Sequence, residues 1–279
     1  MKFSILFLFW FANIFAQQQF RTSDFGYSDD VVKVEESLYK LNNETKDFVR
    51  ENTYTTEIKN TYFQKQTLES YFGENKLIGE YQYCYNPDLT IKEIEYKPIE
   101  GKFGYPMKFL FHYEKGKLRK MIAEGMQTTF YEYDKNGNRT KEIQKDIRNE
   151  VVKTILYQDY KDNKTYTKLN KDGDGTETDF TKEYFENGLV KRSEFVSGDF
   201  KSETSYMYDT FRNIKSQVYN DSSRIDYNYE FDSKNNRIKI AKLSQALPED
   251  NSFTFVKITY TDGTTSGSTE LDLDFIKKH

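Results

Sequence analysis

The chain has 279 residues and a formal net charge of −4, from 41 basic and 45 acidic side chains that are mixed along its length. This mixture excludes the basic patch that nucleic-acid binding requires, and it excludes an acidic tail. The single cysteine excludes an intramolecular disulfide, so packing and backbone hydrogen bonds must hold the fold together.

Residues 1–16 are predicted to be a secretory signal peptide. Lys2 precedes an apolar run from Phe3 to Phe15, and the small residue Ala16 stands at the predicted cut. The run is shorter than the roughly 20 apolar residues that span a bilayer, and a retained anchor is the alternative. No cysteine stands directly after the cut, which argues against a lipid anchor. We therefore expect 17–279 to be exported to the periplasm, the cell surface or the extracellular space, without spanning the membrane.

The amino-terminal part of 17–279 is predicted to form strands with one irregular segment. VVKVEESLY at 31–39 alternates as a strand does, and the β-rich composition continues to residue 72. Residues 86–107 hold three of the four prolines, and because proline cannot donate to a ladder we expect a loop or bulge there. Function is expected where the regular pattern fails, chiefly at 86–107. Cys84, within YQYCY, is expected on the strand face opposite the tyrosines, as an unreactive small side chain.

A motif recurs in the second half of the chain. Its clearest copies are YEYDKNGNRT at 131–140, YMYDTFRNIKS at 206–216 and YEFDSKNNRIK at 229–239, each with aromatic-x-aromatic-Asp and an Asn four positions after the Asp. Degenerate copies lie at 111–120 and 183–192. A second set of turns alternates with the first, at 146–149, 172–175, 197–199, 220–223 and 246–251. Each unit is therefore two strands and two turns, with a period of about 24 residues.

The residues of the motif predict a turn that is preceded by a strand with one aromatic face. An aspartate at this position can hydrogen-bond to the backbone two residues on, which initiates a turn. Gly137 accepts a positive φ, and Asn138, Asn213 and Asn236 tolerate the left-handed region better than most residues. The aromatic residues fall at i and i+2 on one strand face. We expect them to form a core, and the alternative is a surface that stacks on sugars or nucleobases.

The predicted fold is all-β, in a single domain. The last segment, 253–276, is predicted to be a closing hairpin with Asp262-Gly263 at its turn. The spacing predicts about sixteen to nineteen antiparallel strands in a long meander of repeated β-hairpins. Open twisted sheets rarely exceed about 10 strands, so we expect this one to be curled or wound on itself, with closure into a barrel left open.

The run YEYDKNGNRT resembles the tyrosine-aspartate (YD) repeat of bacterial Rhs-type proteins. VVKVEESLY, placed shortly after a signal peptide, resembles the start of exported YD-repeat-like proteins that are common in the Bacteroidetes. The resemblance implies an all-β hairpin array at the cell envelope. In large Rhs proteins many such repeats form a shell around a toxin domain, and this chain has too few repeats to enclose one. EYFENGLVK at 183–191 and HYEKGKLRK at 112–120 also resemble the turn of MORN-variant repeats.

One stretch, NKDGDGTETD, is a candidate calcium site. Asn170, Asp172, Asp174 and Thr176 match the first half of an EF-hand-like loop. The twelfth position is Thr181 and not the bidentate glutamate of such loops. The alternative is a plain hairpin turn, because Asp-Gly is a common turn pair. No other cofactor is expected.

The sequence contains few of the residues and motifs that catalysis requires. Its two histidines are His112 and the terminal His279, and it contains no phosphate-binding loop, zinc-ligand spacing or nucleophile elbow. The sequence therefore predicts a non-enzymatic scaffold or binding protein of the cell envelope, with a protein or glycan as its ligand. The alternative is a secreted hydrolase that uses two carboxylates about 5 to 10 Å apart in a cleft of the sheet.

Overall fold

The computed structural model describes residues 20–42, 44–72, 75–100, 104–161, 165–220 and 223–279. The predicted signal peptide, 1–16, lies outside them. The described residues form nineteen strands, two short 3-10 helices (Thr22–Phe25 and Pro248–Asp250) and one helix, α1 (Leu273–Lys278). The strands are β1 (Val31–Leu41), β2 (Phe48–Lys59), β3 (Tyr62–Phe72), β4 (Asn75–Tyr85), β5 (Ile91–Glu100), β6 (Met107–Glu114), β7 (Lys117–Ala123), β8 (Gln127–Tyr133), β9 (Arg139–Asp146), β10 (Val151–Lys161), β11 (Thr165–Asp172), β12 (Glu177–Glu186), β13 (Leu189–Ser197), β14 (Phe200–Tyr208), β15 (Ile214–Tyr219), β16 (Arg224–Phe231), β17 (Arg237–Ser244), β18 (Ser252–Tyr260) and β19 (Thr265–Gly267). None of the described helices is long and apolar enough to cross a membrane.

The strands form an antiparallel meander that closes into a barrel. Each strand pairs with the next along the chain, and β18 pairs with β1 from Val31↔Tyr260 to Lys40↔Ser252. The described wall is therefore an 18-stranded barrel, and β19 adds to one edge of β18 through Lys257–Thr259. The prediction of an all-β antiparallel meander is confirmed. The sheet was expected to be curled or wound on itself, with closure left open; the first and last strands meet, so it is a closed barrel and not a curled repeat.

A shift in register recurs near the turns at one end of the barrel. Among the described hairpins, β2–β3, β4–β5, β6–β7, β8–β9, β10–β11, β12–β13, β14–β15 and β16–β17 each contain one close to the turn. We call the end of the barrel at which these turns lie the aspartate-turn end. A β-bulge places one extra residue on one strand, which bends that strand and increases its twist. Bulges repeated at one end curve the whole sheet, and curvature of that kind brings its edges together.

The turns that begin with Asp134, Asp209 and Asp232 share one hydrogen-bond pattern. Asp134 Oδ1 accepts the Asn138 N–H at 2.9 Å, and Asp134 Oδ2 accepts from Asn138 Nδ2 at 3.0 Å. The residue with positive φ is the one before the asparagine in each turn: Gly137, Arg212 and Asn235. Asn138, Asn213 and Asn236, which tolerate the left-handed region, do not adopt it in these turns. Their side chains bind the aspartate carboxylate instead.

The face of the wall that carries the motif's tyrosines points inward. Phe25, in the amino-terminal segment, stacks on Phe63 of β3 with 4.6 Å between ring centroids, and its carbonyl accepts from Arg237 Nη2 of β17 at 2.5 Å. β17 and β3 are four strands apart in the barrel, which is about 19 Å on a flat sheet. Phe25 can contact both β3 and β17 only if the wall curves around it. Tyr83 packs in the same cluster, and Phe231 of the motif lies opposite Arg237, so the strand faces that carry these rings are inner faces.

Strand β18, at the seam of the barrel, is covered on both faces. On the inner face Val256 and Ile258 are fully buried and pack with Tyr27 and Val34. On the outer face Phe253 and Phe255 pack against α1. The seam therefore has a core of its own, built from the two ends of the described chain.

The carboxy-terminal segment differs from its prediction. The hairpin with Asp262-Gly263 at its turn is present as β18–β19, but β19 ends at Gly267. The residues that follow form α1, which the Asp272 side chain caps by accepting the Phe275 N–H. Phe275 is buried against the outer face of the seam, which is why this short segment leaves the sheet.

The segment 86–107 is largely regular. It consists of a turn in which the Thr90 carbonyl accepts the Asn86 N–H, then β5 and the start of β6, while 101–103 lie outside the described residues. Pro98 lies opposite Gly79, next to a register shift in the β4–β5 ladder. The described pairing of β5 with β6 stops at Tyr96, so the proline sits beyond that ladder. The predicted disturbance is therefore a local shift beside a strand, and the functional role expected for 86–107 stays a prediction.

Candidate functional site on the inner wall

The inner wall of β9 to β12 brings charged and aromatic side chains into contact. We call these residues the inner band: Arg139, Glu142, Tyr157, Tyr160, Tyr166, Lys168, Glu183 and Phe185. The register shift in β8–β9 sets their placement, because it puts Arg139 opposite Tyr133 and Glu142 opposite Tyr131. Both charged side chains thereby lie on the face that carries the tyrosines.

A buried ion pair anchors one end of the inner band. Arg139 Nη1 lies 2.5 Å from Glu142 Oε1, and Glu142 is only 2% exposed. The Tyr157 hydroxyl donates to the same carboxylate oxygen. The Arg139 guanidinium also lies over the rings of Tyr131 and Tyr157, at 4.9 and 5.7 Å from their centroids. Removing one partner would leave an uncompensated buried charge, so the pair fixes the geometry of this part of the wall.

A second carboxylate and a row of rings continue the band. The Tyr166 hydroxyl donates to Glu183 Oε2 at 2.6 Å, and Lys168 Nζ lies 3.2 Å from Glu183 Oε1. Tyr160 and Tyr166 stack with centroids 5.5 Å apart and rings at 30°. Tyr166 and Phe185 stack with centroids 5.4 Å apart and rings at 24°. Three neighbouring strands therefore contribute one ring each to a continuous aromatic row.

Burial and neighbouring groups shift the pKa values of the inner-band tyrosines and of Arg139. Burial raises the pKa of Tyr160 to about 12. It also raises the pKa of Tyr157 and of Tyr166, to which Glu142 and Glu183 respectively add. Burial alone would lower the pKa of Arg139, but Glu142 and Tyr157 outweigh that effect and raise it. At neutral pH the tyrosines are therefore neutral donors, and Arg139 is a cation.

The two carboxylates of the inner band already have partners in the wall. Glu142 and Glu183 are each held by a cation and a tyrosine hydroxyl. Aromatic rings with nearby polar groups are typical of sites that orient a bound ligand. In the described part of the chain no three His, Cys, Asp or Glu side chains lie together as a metal site would require.

Sequence reasoning missed a second role of the motif's tyrosines. Among the described residues, five tyrosines donate their hydroxyl to a carbonyl of the preceding strand; we call these contacts tyrosine bridges. They are Tyr85 to Phe63 (2.7 Å), Tyr133 to Leu118 (2.9 Å), Tyr160 to Arg139 (2.6 Å), Tyr208 to Val190 (2.8 Å) and Tyr229 to Ile214 (2.7 Å).

Each bridge lies beyond the last ladder pair of its two strands. The β7–β8 ladder ends at Lys120↔Phe130, and the Tyr133 bridge reaches Leu118 further along. The hydroxyl thus satisfies a carbonyl that has no ladder partner. The signal was present in the sequence, since Tyr133 and Tyr208 stand directly before the aspartate of the motif.

The structure places the calcium candidates at the β11–β12 hairpin. Asp172 Oδ1 accepts the N–H groups of Asp174 and Thr176, at 3.1 and 2.9 Å. The Asn170 side chain lies on β11 and donates to Asp179 on β12. The loop has the same backbone pattern as the Asp134 turn, in which the first aspartate accepts the N–H four residues on. The calcium site at Asn170, Asp172, Asp174 and Thr176 and its alternative, a plain hairpin turn, both stay predictions.

The other residues that sequence analysis singled out lie apart from the inner band. His112 is exposed on β6, in the alternate position to the inward Phe111 and Tyr113. Cys84 is exposed on β4, on the face opposite its neighbouring tyrosines, as expected.

Neither a protein-family model nor a curated protein matches this sequence. Among solved structures, a porin-like protein from Bacteroides uniformis is similar over 83% of this chain and 97% of its own, with a TM-score of 0.51 and 10% identity. The match to a porin-like protein from Bacteroides vulgatus covers 80% of this chain and 97% of that protein, with a TM-score of 0.34 and 16% identity. The match to the TcdB2-TccC3 structure covers 87% of this chain and 16% of the TcdB2-TccC3 chain, with a TM-score of 0.31 and 10% identity. The first of these supports the barrel fold, and identities this low carry nothing beyond the fold.

Proposed function

We propose that this chain is an exported, non-enzymatic barrel of the cell envelope that binds a protein or a glycan. The observation that carries the proposal is the inner band, where three stacked rings lie beside two carboxylates that are already held in ion pairs. Rings supply contact area, and fixed polar groups orient a ligand. The predicted signal peptide supports export.

We further propose that the barrel stands outside the lipid, unlike a membrane-embedded porin. Its outer face carries ion pairs on many strands, such as Lys65–Glu80 at 2.5 Å and Lys108–Glu93 at 3.0 Å. A membrane barrel needs an outward apolar band about 25 Å tall, and a lysine at its midplane costs about 2 to 4 kcal/mol. An outer wall with charges on many strands is therefore suited to water.

The hydrolase alternative receives less support from the inner wall. A glycosidase requires one carboxyl group that donates a proton and a second that acts as base or nucleophile. Glu142 is locked by Arg139 and Tyr157, and Glu183 by Tyr166 and Lys168. We therefore propose binding, not turnover, at this wall.

Affinity capture in the native cells tests the proposal. The full chain, with a tag after its last residue, is recovered from the envelope fraction beside two variants, Tyr160→Ala in the inner band and Tyr184→Ala on the outer face. We expect a protein or polysaccharide to copurify with the parent and with Tyr184→Ala, and at least tenfold less with Tyr160→Ala. Recovery of no ligand by the parent would overturn the binding function. Resistance of the chain to carbonate extraction would overturn its placement outside the lipid.

A further inference from the structure

The ladder between β15 and β16 is short. It stops at Ser216↔Asp226 on the way to the aspartate-turn end, while β16 continues to Phe231 and stays paired with β17. Beyond that stop a side chain spans the two strands, because the Tyr229 hydroxyl donates to the Ile214 carbonyl at 2.7 Å. This tyrosine bridge ties the wall together across the gap.

A cavity of about 440 Å³ lies beside this bridge, and we call it the slot. Its lining residues are Tyr208, Asp209, Thr210, Lys215, Tyr227, Asn228, Tyr229 and Phe231. The volume falls within the range of about 300 to 1,000 Å³ that ligand sites occupy. The slot is therefore large enough for a small ligand or for one part of a longer one.

Three polar side chains of the slot have no hydrogen-bond or ion-pair partner in the described chain: Thr210, Lys215 and Asn228. The Thr210 hydroxyl and the Asn228 amide can each donate and accept, and the Lys215 ammonium donates. The Asp209 carboxylate, in contrast, already accepts from Asn213 and from a second backbone N–H. The slot therefore offers a ligand both donors and acceptors that the fold itself does not use.

Aromatic rings supply the apolar part of the slot. Phe231 contacts Phe211 and Tyr229, with 5.1 and 6.0 Å between ring centroids. The Tyr227 ring contacts no other ring in the described part of the chain. A ligand with an apolar face can therefore pack on Tyr227 without displacing a neighbouring ring.

The formal charges of the slot cancel. Asp209 contributes one negative charge and Lys215 one positive charge, and the other lining residues are uncharged. An anionic ligand would meet the Asp209 carboxylate, and a cationic ligand would meet the Lys215 ammonium. The lining therefore matches a neutral ligand that carries many hydrogen-bonding groups.

We propose that the slot binds a neutral sugar unit of a glycan. The proposal rests on the proposed binding function, names its ligand class and adds a second site to the inner band. A pyranose ring has a face of C–H groups that packs on an aromatic ring, and its hydroxyl groups both donate and accept hydrogen bonds. Tyr227 and the three free polar side chains provide these two kinds of contact.

A glycan array and calorimetry test the proposal. The full-length chain is applied to an array that carries maltohexaose, cellohexaose, mannohexaose, chitohexaose and the acidic hexagalacturonate. Sugars that bind are titrated into the parent, Lys215→Trp, Asn228→Ala and Lys201→Trp. Lys215 is exposed and lines the slot, so an indole there would fill it. Lys201 is an exposed lysine near the opposite end of β14, which makes it the matched control.

We expect at least one neutral oligosaccharide to bind the parent and Lys201→Trp within twofold of each other, and Lys215→Trp at least tenfold more weakly. Asn228→Ala removes one hydrogen-bonding side chain and should weaken binding about threefold to tenfold. It should unfold at the same temperature as the parent, because the Asn228 side chain has no partner in the described fold. Saturation of the aromatic protons should transfer to C–H protons on one face of the bound sugar.

Three results would overturn the proposal: binding of no neutral oligosaccharide, equal binding by the parent and Lys215→Trp, or tighter binding of hexagalacturonate than of every neutral sugar. If Lys215→Trp unfolds at a lower temperature than the parent, Asn228→Ala decides the matter, and unchanged binding by that variant overturns the proposal.

Two further outcomes separate this inference from the proposed function. If envelope capture recovers a ligand whose binding Lys215→Trp and Asn228→Ala leave unchanged, and the array shows no binding, the binding function stands and the slot proposal falls. If a neutral oligosaccharide requires the slot but capture recovers no ligand, the sugar site stands and the proposed envelope function falls.

Discussion

Asn236 and Ser28, 208 residues apart in the chain, are joined by two hydrogen bonds. The Ser28 N–H donates to Asn236 Oδ1 at 2.7 Å, and Asn236 Nδ2 donates to Ser28 Oγ at 3.2 Å. Asn236 Nδ2 also lies 3.0 Å from the Tyr260 hydroxyl, which donates to Asp232. One copy of the turn motif therefore fastens the amino-terminal segment to the seam where the barrel closes.

Replacement of Asn236 should weaken the seam more than replacement of its counterpart in another turn. Asn236 is 1% exposed, so Asn236→Ala leaves buried partners unsatisfied and should cost about 1 to 3 kcal/mol of unfolding free energy. Asn213→Ala is the matched control, since Asn213 makes the same contacts to Asp209 but none in the described chain to the amino-terminal segment. Urea unfolding measures both. Equal losses would contradict a special role of Asn236 at the seam.

The Asp232 carboxylate should make the stability of the seam depend on pH. Burial alone would raise its pKa, but hydrogen bonds from Tyr260 and Asn236 lower it. A carboxyl group with a lowered folded pKa stabilises the fold above its unfolded pKa of about 3.9, and this contribution is lost as the pH falls through the folded pKa.

We therefore expect Asp232→Asn to cost about 1.5 to 3 kcal/mol at pH 7, because it removes hydrogen bonds to a charged group. The difference from the parent should shrink as the pH falls below about 4, where the unfolded state begins to bind the proton, and should vanish below the lowered folded pKa. Unfolding curves at a series of pH values measure it. A difference that stays constant down to pH 2 would show that the charge is not what stabilises the turn.

The tyrosine bridges should contribute through their hydroxyl groups. Tyr133→Phe and Tyr208→Phe keep the ring but leave the Leu118 and Val190 carbonyls without these donors, which should cost about 1 kcal/mol each. Tyr105→Phe is the control, because Tyr105 is 85% exposed. Hydrogen exchange should also accelerate in β7 and β13 near the lost bridges. Unchanged stability in both variants would show that the tyrosine bridges do not stabilise the fold.

Truncation of Phe275 should uncover the outer side of the seam. Phe275 is 3% exposed and packs on Phe253 and Phe255, with centroids 6.4 and 5.9 Å away. Phe275→Ala should therefore cost about 3 to 5 kcal/mol, the usual range for a buried phenylalanine. Phe200→Ala, at a residue that is 62% exposed, should stay within about 0.5 kcal/mol of the parent in thermal unfolding. A small effect at Phe275 would mean that α1 does not stabilise closure.

Calcium titration tests the loop at Asp172. We expect no calorimetric heat up to millimolar Ca²⁺, because Asp172 Oδ1 already accepts two backbone N–H groups as the aspartates of the other turns do. An Asp174→Asn variant serves as the control, since it removes a candidate ligand without touching those bonds. Heat from the parent that Asp174→Asn abolishes would establish the cation site and contradict this expectation.

The sequence by itself determined the local structure of this protein. Alternation of aromatic and polar residues specifies strands with one aromatic face, and aspartate with asparagine four positions on specifies a turn. These signals act over a few residues, so they can be read without knowing what lies opposite. Strand type, antiparallel order and the positions of the turns at Asp134, Asp209 and Asp232 followed from them.

Only the tertiary structure decided closure and the contents of the inner wall. Closure rests on the pairing of β18 with β1 and is accompanied by the contact of Ser28 with Asn236, neither of which a local pattern encodes. Simple alternation does not place both Arg139 and Glu142 on the inner face, because the two are three residues apart, an odd spacing. The register shift beside Tyr133 places one extra residue in β9 between them, so both side chains lie on the same face. The aromatic residues of YEYDKNGNRT build the wall locally, and neighbours brought together by the barrel give them their bridges and their ion-pair partners.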